Sequence, residues 1–182
     1  MDGPFYLDMR EPFLGSDLPA VTLASTNKAL YPPGAFPALG SQYFSRIGKK
    51  IHIRLFGRAT TGLTPGGGQM AVYYGSGADA AGVLLAATSA VALIPSQSNA
   101  SWYADIFVHC RSVGAAGTLF ATGLFKSNET LQTTTSLLPG SAPVASGACD
   151  LTVASIISVQ YNRNGVTGET MQVHDMEVIA LN

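Results

Sequence analysis

Between Lys50 and Leu55 the chain alternates without a break, Lys-Ile-His-Ile-Arg-Leu. Successive side chains of a strand point to opposite faces, so this period of two puts Ile51, Ile53 and Leu55 on a core face and Lys50, His52 and Arg54 on the other. At least one half-buried strand follows. The punctuation of the chain agrees, because 20 Gly and 10 Pro among 182 residues interrupt any long helix.

Further strands read out on the same logic. Thr64-Pro65-Gly66-Gly67-Gly68 is a turn, and Gln69 to Gly75 is a second strand that makes a hairpin or a sheet crossover with the first. The alanines of Gly82 to Ile94 tolerate a helix, but its valines, threonine and bounding Gly and Pro predict strand. Ser101 to Ser112 and Thr118 to Phe125 form a hairpin around Gly114-Ala115-Ala116-Gly117, and Ser127 to Ala148 is a weakly patterned connection. Leu151 to Tyr161 and Glu169 to Leu181 close the chain, joined by a turn at Asn162-Arg163-Asn164-Gly165. The class is all-β: a jelly-roll-like antiparallel β-sandwich of about eight strands over residues 46–182.

The first 45 residues read differently. Pro4, Pro12, Pro19, Pro32, Pro33 and Pro37 forbid regular structure, while Phe5, Tyr6, Phe13, Tyr31 and Phe36 need burial. This predicts an extended Pro-rich arm, residues 1–45, lying in a groove of its own domain or of a neighbour. The arm carries Arg10 among the acids Asp2, Asp8, Glu11 and Asp17, and Arg46, Lys49, Lys50, Arg54 and Arg58 crowd the window that follows. Contact between the two, or between the basic strand and an acidic partner, is one reading of that contrast; a solvated strand face is the other. Phe5, Tyr6, Arg10, Phe13, Tyr31, Phe36, Lys50, Arg54 and Arg58 are therefore the candidate interface residues.

Composition limits the chemistry. A net charge of −1 gives no basic field for nucleic acid, and charged residues are only 12% of the chain against a usual value of about 25%. So little surface charge on a chain this apolar predicts self-association. Ala80 to Ile94 is too short to span a membrane and ends at Pro95. The N-terminus shows no secretory pattern, which predicts folding in a reducing cytoplasm, and Cys110 and Cys149 read as buried thiols. The sequence has no nucleophile elbow, phosphate loop, His-Glu-x-x-His or calcium-loop motif, so neither an enzyme nor a cofactor or metal is expected. His52, His109 and His174 are widely separated, while Asp175 and Glu177 share one strand face. Trp102, Tyr103, Tyr73 and Tyr74 could form a sugar platform, although core packing competes for them.

The run Asp150-Leu151-Thr152-Val153-Ala154-Ser155-Ile156-Ile157-Ser158-Val159-Gln160-Tyr161, then Thr170 to Asp175 and the closing Glu177 to Asn182, resembles the last strands of small virion proteins of tailed bacteriophages. Ile51 to Gly57, Trp102 to Val113 and Gly117 to Gly123 resemble earlier strands of the same proteins, so the resemblance runs from about residue 45 to the end. It implies a jelly-roll module on the virion. A capsid decoration (cement) protein is the first reading, bound to the major capsid protein at capsomer junctions and often trimeric. A tail-associated or host-attachment, carbohydrate-binding module is the alternative.

Overall fold

The computed structural model describes residues 16–128, 135–163 and 169–181. Eleven strands occur among them: β1 (Val21–Thr22), β2 (Lys28–Ala29), β3 (Lys50–Thr60), β4 (Gly67–Gly75), β5 (Val83–Ala87), β6 (Val91–Ala92), β7 (Ala100–Ser112), β8 (Thr118–Ser127), β9 (Ser136–Leu138), β10 (Ile156–Arg163) and β11 (Thr170–Leu181). The sole helical element described is a 3₁₀ turn at Pro33–Ala35. Seven strands have five or more residues and four have two or three, so the expected count of about eight matches the long strands plus β9.

Two antiparallel sheets make a sandwich. One runs β1-β11-β3-β7-β8-β9, and the other runs β2-β10-β4-β5 with β6 also on β4. β3 and β4 lie in different layers, and β11 pairs with β3 while β10 pairs with β4. One crossing pair thus wraps along the other across both sheets, which makes the sandwich jelly-roll-like. Of the two alternatives for the β3–β4 connection, the crossover is the one formed. The turn expected between the last two strands is likewise a passage between sheets, β10 lying in one and β11 in the other; residues 164–168 are outside the described part. The β7–β8 hairpin forms as read, and Gly82 to Ile94 gives strands β5 and β6 with no helix.

The alternating strands supply the core from both layers. Ile51, Ile53 and Leu55 of β3, Ala104, Ile106 and Val108 of β7, and Ile157, Val159 and Tyr161 of β10 are all fully buried. Each large side chain of this kind contributes roughly 1.5 to 3 kcal/mol by leaving water. Phe125 and Tyr161 meet between the sheets with ring centroids 5.6 Å apart. Gly57 takes a core-facing position of β3 because the Gln172 carbonyl and the Trp102 indole occupy the space a Cβ would need, the ring carbons lying 2.7 Å from it.

The described part of the expected arm, residues 16–45, packs against the sandwich. Leu23, Leu30, Tyr31, Phe36, Leu39, Tyr43 and Phe44 are buried members of the same core. Tyr31 stacks on Phe36 at 5.7 Å, and its hydroxyl donates to the Ile157 carbonyl at 2.9 Å and accepts from the Val159 N–H at 3.0 Å. Proline prevents this stretch from forming long strands without preventing it from packing, so residues 16–45 line the sandwich as irregular chain. Tyr31 and Phe36 thus lie in a groove of their own domain, one of the two places expected for the aromatics of the arm. Phe5, Tyr6, Arg10 and Phe13 lie outside the described residues.

Candidate functional site: the outer face of the six-stranded sheet

The parity that buries Ile51, Ile53 and Leu55 turns residues 50, 52, 54, 56 and 58 of β3 outward. Strand register then fixes their neighbours. Arg54 lies between Glu177 of β11 and Asp105 of β7, and in the adjoining row Phe56 lies between Asp175 and Tyr103. A bulge in β11 between Val173 and Asp175 resets its parity, which brings both Asp175 and Glu177 onto this face. Arg54, Phe56, Tyr103, Asp175 and Glu177 line a depression of about 260 Å³.

The charged groups here are mostly tied to one another. Arg54 Nη1 donates to Glu177 Oε2 at 3.2 Å, and Arg54 Nε stands 3.8 Å from Asp105 Oδ2. Asp105 also accepts from the Tyr103 hydroxyl at 2.6 Å and meets His52 Nε2 at 2.6 Å. Partial burial pushes the Asp105 carboxyl up, but the Tyr103 and His52 hydrogen bonds with the His52 and Arg54 charges outweigh it, leaving the group below the ordinary carboxylate value. Desolvation, with the carboxylate beside it, pushes the Tyr103 phenol up to about 12, so its proton stays on oxygen. Phe56 is 52% exposed, and its ring leans on Tyr103 at 4.8 Å and 44°. Asp175 is exposed and has no hydrogen bond or ion pair among the described residues.

His52 departs from the reading of this face as solvated. It is only 6% exposed, because Phe107 stacks on its ring at 4.1 Å while Asp105 caps its nitrogen. The three histidines do not converge: His174 Nδ1 pairs with Asp17 at 2.8 Å and its Nε2 accepts from Arg58 Nε at 2.8 Å, while His109 lies near Phe107 and Phe120. No cluster of metal-ligating side chains occurs among the described residues. Cys110 and Cys149 are free, buried thiols, and burial raises both above the usual thiol range.

Of the predicted interface set, Lys50, Arg54 and Arg58 share this outer face. Lys50 is half-buried and the other two are exposed. The partner of Arg54 is Glu177 on the next strand, and Asp17 reaches the basic strand only through His174. Among the sugar-platform candidates, Trp102 and Tyr74 are core residues, and Tyr73 accepts from Asn27 Nδ2 at 2.6 Å on the other sheet. Tyr103 alone joins the depression. Phe56 was missed, although extending the alternation of Lys50 to Leu55 by one residue already places an aromatic ring on the polar face.

A second surface lies at the edge of the sandwich. β5, the last strand of its sheet, and the stretch after β9 enclose a groove of about 500 Å³ lined by Leu84, Ala86, Thr88, Gly140, Ala142 and Val144, with no charged residue in its walls. Leu84 is 47% exposed, Val144 70%, and Leu137 of β9 67%.

Compared with known proteins, the chain matches no family, no curated sequence and no solved structure.

Proposed function

We propose that the chain is a non-enzymatic virion structural protein: a capsid decoration protein of a tailed bacteriophage that lies on the outer capsid surface, contacts the major capsid protein and stabilises capsomer junctions as a homotrimer. The observation that carries the reading is the groove at the β5 edge, which has no charged residue and sets aliphatic side chains among Gln69, Thr88, Ser89, Ser141 and Ser146, with Leu84 and Val144 open to water. Exposed large apolar side chains gathered around an uncharged groove suit contact with another protein.

The position of the chain's entry adds to it. The root of the arm is fastened at the opposite edge, where Leu18 N donates to the Val173 carbonyl at 3.0 Å, Gln172 Nε2 donates to the Leu18 carbonyl at 2.9 Å, and β1 pairs with β11. Two different edges offering contacts suit head-to-tail association, which closes into a ring when the rotation allows. Residues 1–15 carry the remaining candidates Phe5, Tyr6, Arg10 and Phe13, which serve in this reading as the anchor to the capsid. The resemblance of the strands to phage virion proteins points the same way.

The test is co-sedimentation of the purified chain with capsids that lack it, alongside variants Leu84→Asp and Val144→Asp. Both positions are exposed, so the variants should fold. The wild type should pellet with the capsids and the variants should do so poorly; equal pelleting of all three, or of none, would count against the reading.

A further inference from the structure

We infer that the depression around Phe56 is a binding subsite for one neutral pyranose unit of a glycan. The inference stands apart from capsid attachment, because it concerns a face of the six-stranded sheet and not the edges assigned to protein contacts.

A pyranose presents two chemistries at once, a patch of C–H groups on the ring face and a rim of adjacent hydroxyls. A matching site needs an accessible aromatic ring with fixed acceptors and donors around it. Phe56 is such a ring, half exposed among the polar groups of Arg54, Asp175 and Glu177 and braced by Tyr103 behind it. Tyr103 is itself held by Asp105, and Asp105 by His52, so the platform is rigid before any ligand arrives. Around it stand the Arg54 guanidinium and the Glu177 and Asp175 carboxylates. Carboxylates accept from neighbouring hydroxyls in pairs, and such charge-assisted hydrogen bonds are the strong ones. Asp175 in particular has its oxygens free of any partner among the described residues, directly across from Phe56 in the strand register.

Charge and size narrow the ligand class. Asp175 and Glu177 line the depression against Arg54, with Lys126 across from Tyr103 and Arg58 one outward position further along β3, so the charges nearly balance and no cationic pocket for a sialic acid, uronic acid or phosphate is formed, which suits an uncharged hexose. The volume of about 260 Å³ is below the roughly 300 to 1,000 Å³ of pockets for drug-sized ligands, and it fits a single ring. One such subsite binds weakly, and a trimer would present three of them, so attachment to a glycan-coated surface would rely on multivalency.

The experiment is saturation-transfer NMR of the full chain with the neutral methyl glycosides of glucose, galactose and mannose, with sialic acid and a short Lys-rich peptide as competing probes. At least one neutral glycoside should show transfer, and Phe56→Ala should weaken it by about tenfold, the loss expected when an aromatic contact is removed. Asp175→Asn breaks no contact among the described residues, so this variant keeps its fold and should still weaken binding severalfold. Transfer to none of the glycosides, transfer unchanged in both variants, or preference for sialic acid or the peptide would each overturn the assignment.

Discussion

Arg163, the last residue of β10, and Glu169, the residue before β11, face each other, Nη1 to Oε2 at 3.1 Å, and neither side chain has any exposed surface. Glu169 Oε1 also accepts from the Gly62 N–H at 3.1 Å, and the Arg163 guanidinium lies over the Tyr161 ring at 5.4 Å. The pair therefore fixes where the chain passes from one sheet to the other. Removing one partner of a buried pair strands the other charge, at a cost of about 3 to 5 kcal/mol. Glu169→Ala should lose stability on that scale in urea unfolding; a loss below about 1 kcal/mol would show that the pair contributes little.

The described part of the arm belongs to the fold. Removing residues 1–15 should leave a cooperative thermal transition by circular dichroism, whereas removing residues 1–45 takes Leu23, Leu30, Tyr31, Phe36, Leu39, Tyr43 and Phe44 out of the core and should abolish it. A well-folded chain lacking residues 1–45 would contradict this.

The core positions of β3 give graded effects. Ile53→Ala should cost about 2 to 5 kcal/mol, as for other buried large-to-small changes. Gly57→Ala should cost roughly 1 to 3 kcal/mol through overpacking, since its new methyl meets the Gln172 carbonyl and the Trp102 ring. Denaturant midpoints at unchanged slope are the measurement, and a neutral Gly57→Ala would show that both the Gln172 backbone and the indole can move aside.

Acid should destabilise the sandwich in a defined window. Partial burial opposes ionisation of Asp79 and Asp105, yet Lys28 and the Ala29 N–H at Asp79, and Tyr103, His52 and Arg54 at Asp105, hold both carboxyls below their ordinary value. A carboxyl depressed in the folded state adds stability that is present above its unfolded value, about pH 4, and is lost as pH falls through its folded value. His109 acts in a higher window. Burial, with Lys50 and Arg111 nearby, lowers it, so the unfolded chain takes up the proton first and stability begins to fall as pH drops below about 6.5. Melting temperature measured against pH should show both declines, and Asp79→Asn should flatten the lower one.

How much of this was legible in the sequence depends on whether the signal was local. The alternation of Lys50 to Leu55 placed Ile51, Ile53 and Leu55 correctly, because strand parity needs no knowledge of the partner strand. The burial of His52 did need it, since Phe107 and Asp105 cover the ring only through the register of β3 with β7. Asp175 and Glu177 could be put on one face, but their meeting with Arg54 and Phe56 is again a matter of register. In residues 16–45 proline erases the period that marks buried positions, so the sequence left open whether Tyr31 and Phe36 are buried in their own domain or in a neighbour. The Asn-Gly turn signal could not say that β10 and β11 belong to different sheets.

As a proposed decoration protein, the chain would contact its neighbours through the sandwich edges and leave the Phe56 face open to solvent. Reconstruction of phage particles carrying the chain tests this most directly. The expected result is density for a trimer of sandwiches on the outer capsid surface at capsomer junctions, with the β5 edge against a neighbour and Phe56 facing solvent. Particles with such density only on the tail, or with the Phe56 face pressed against the capsid, would contradict it.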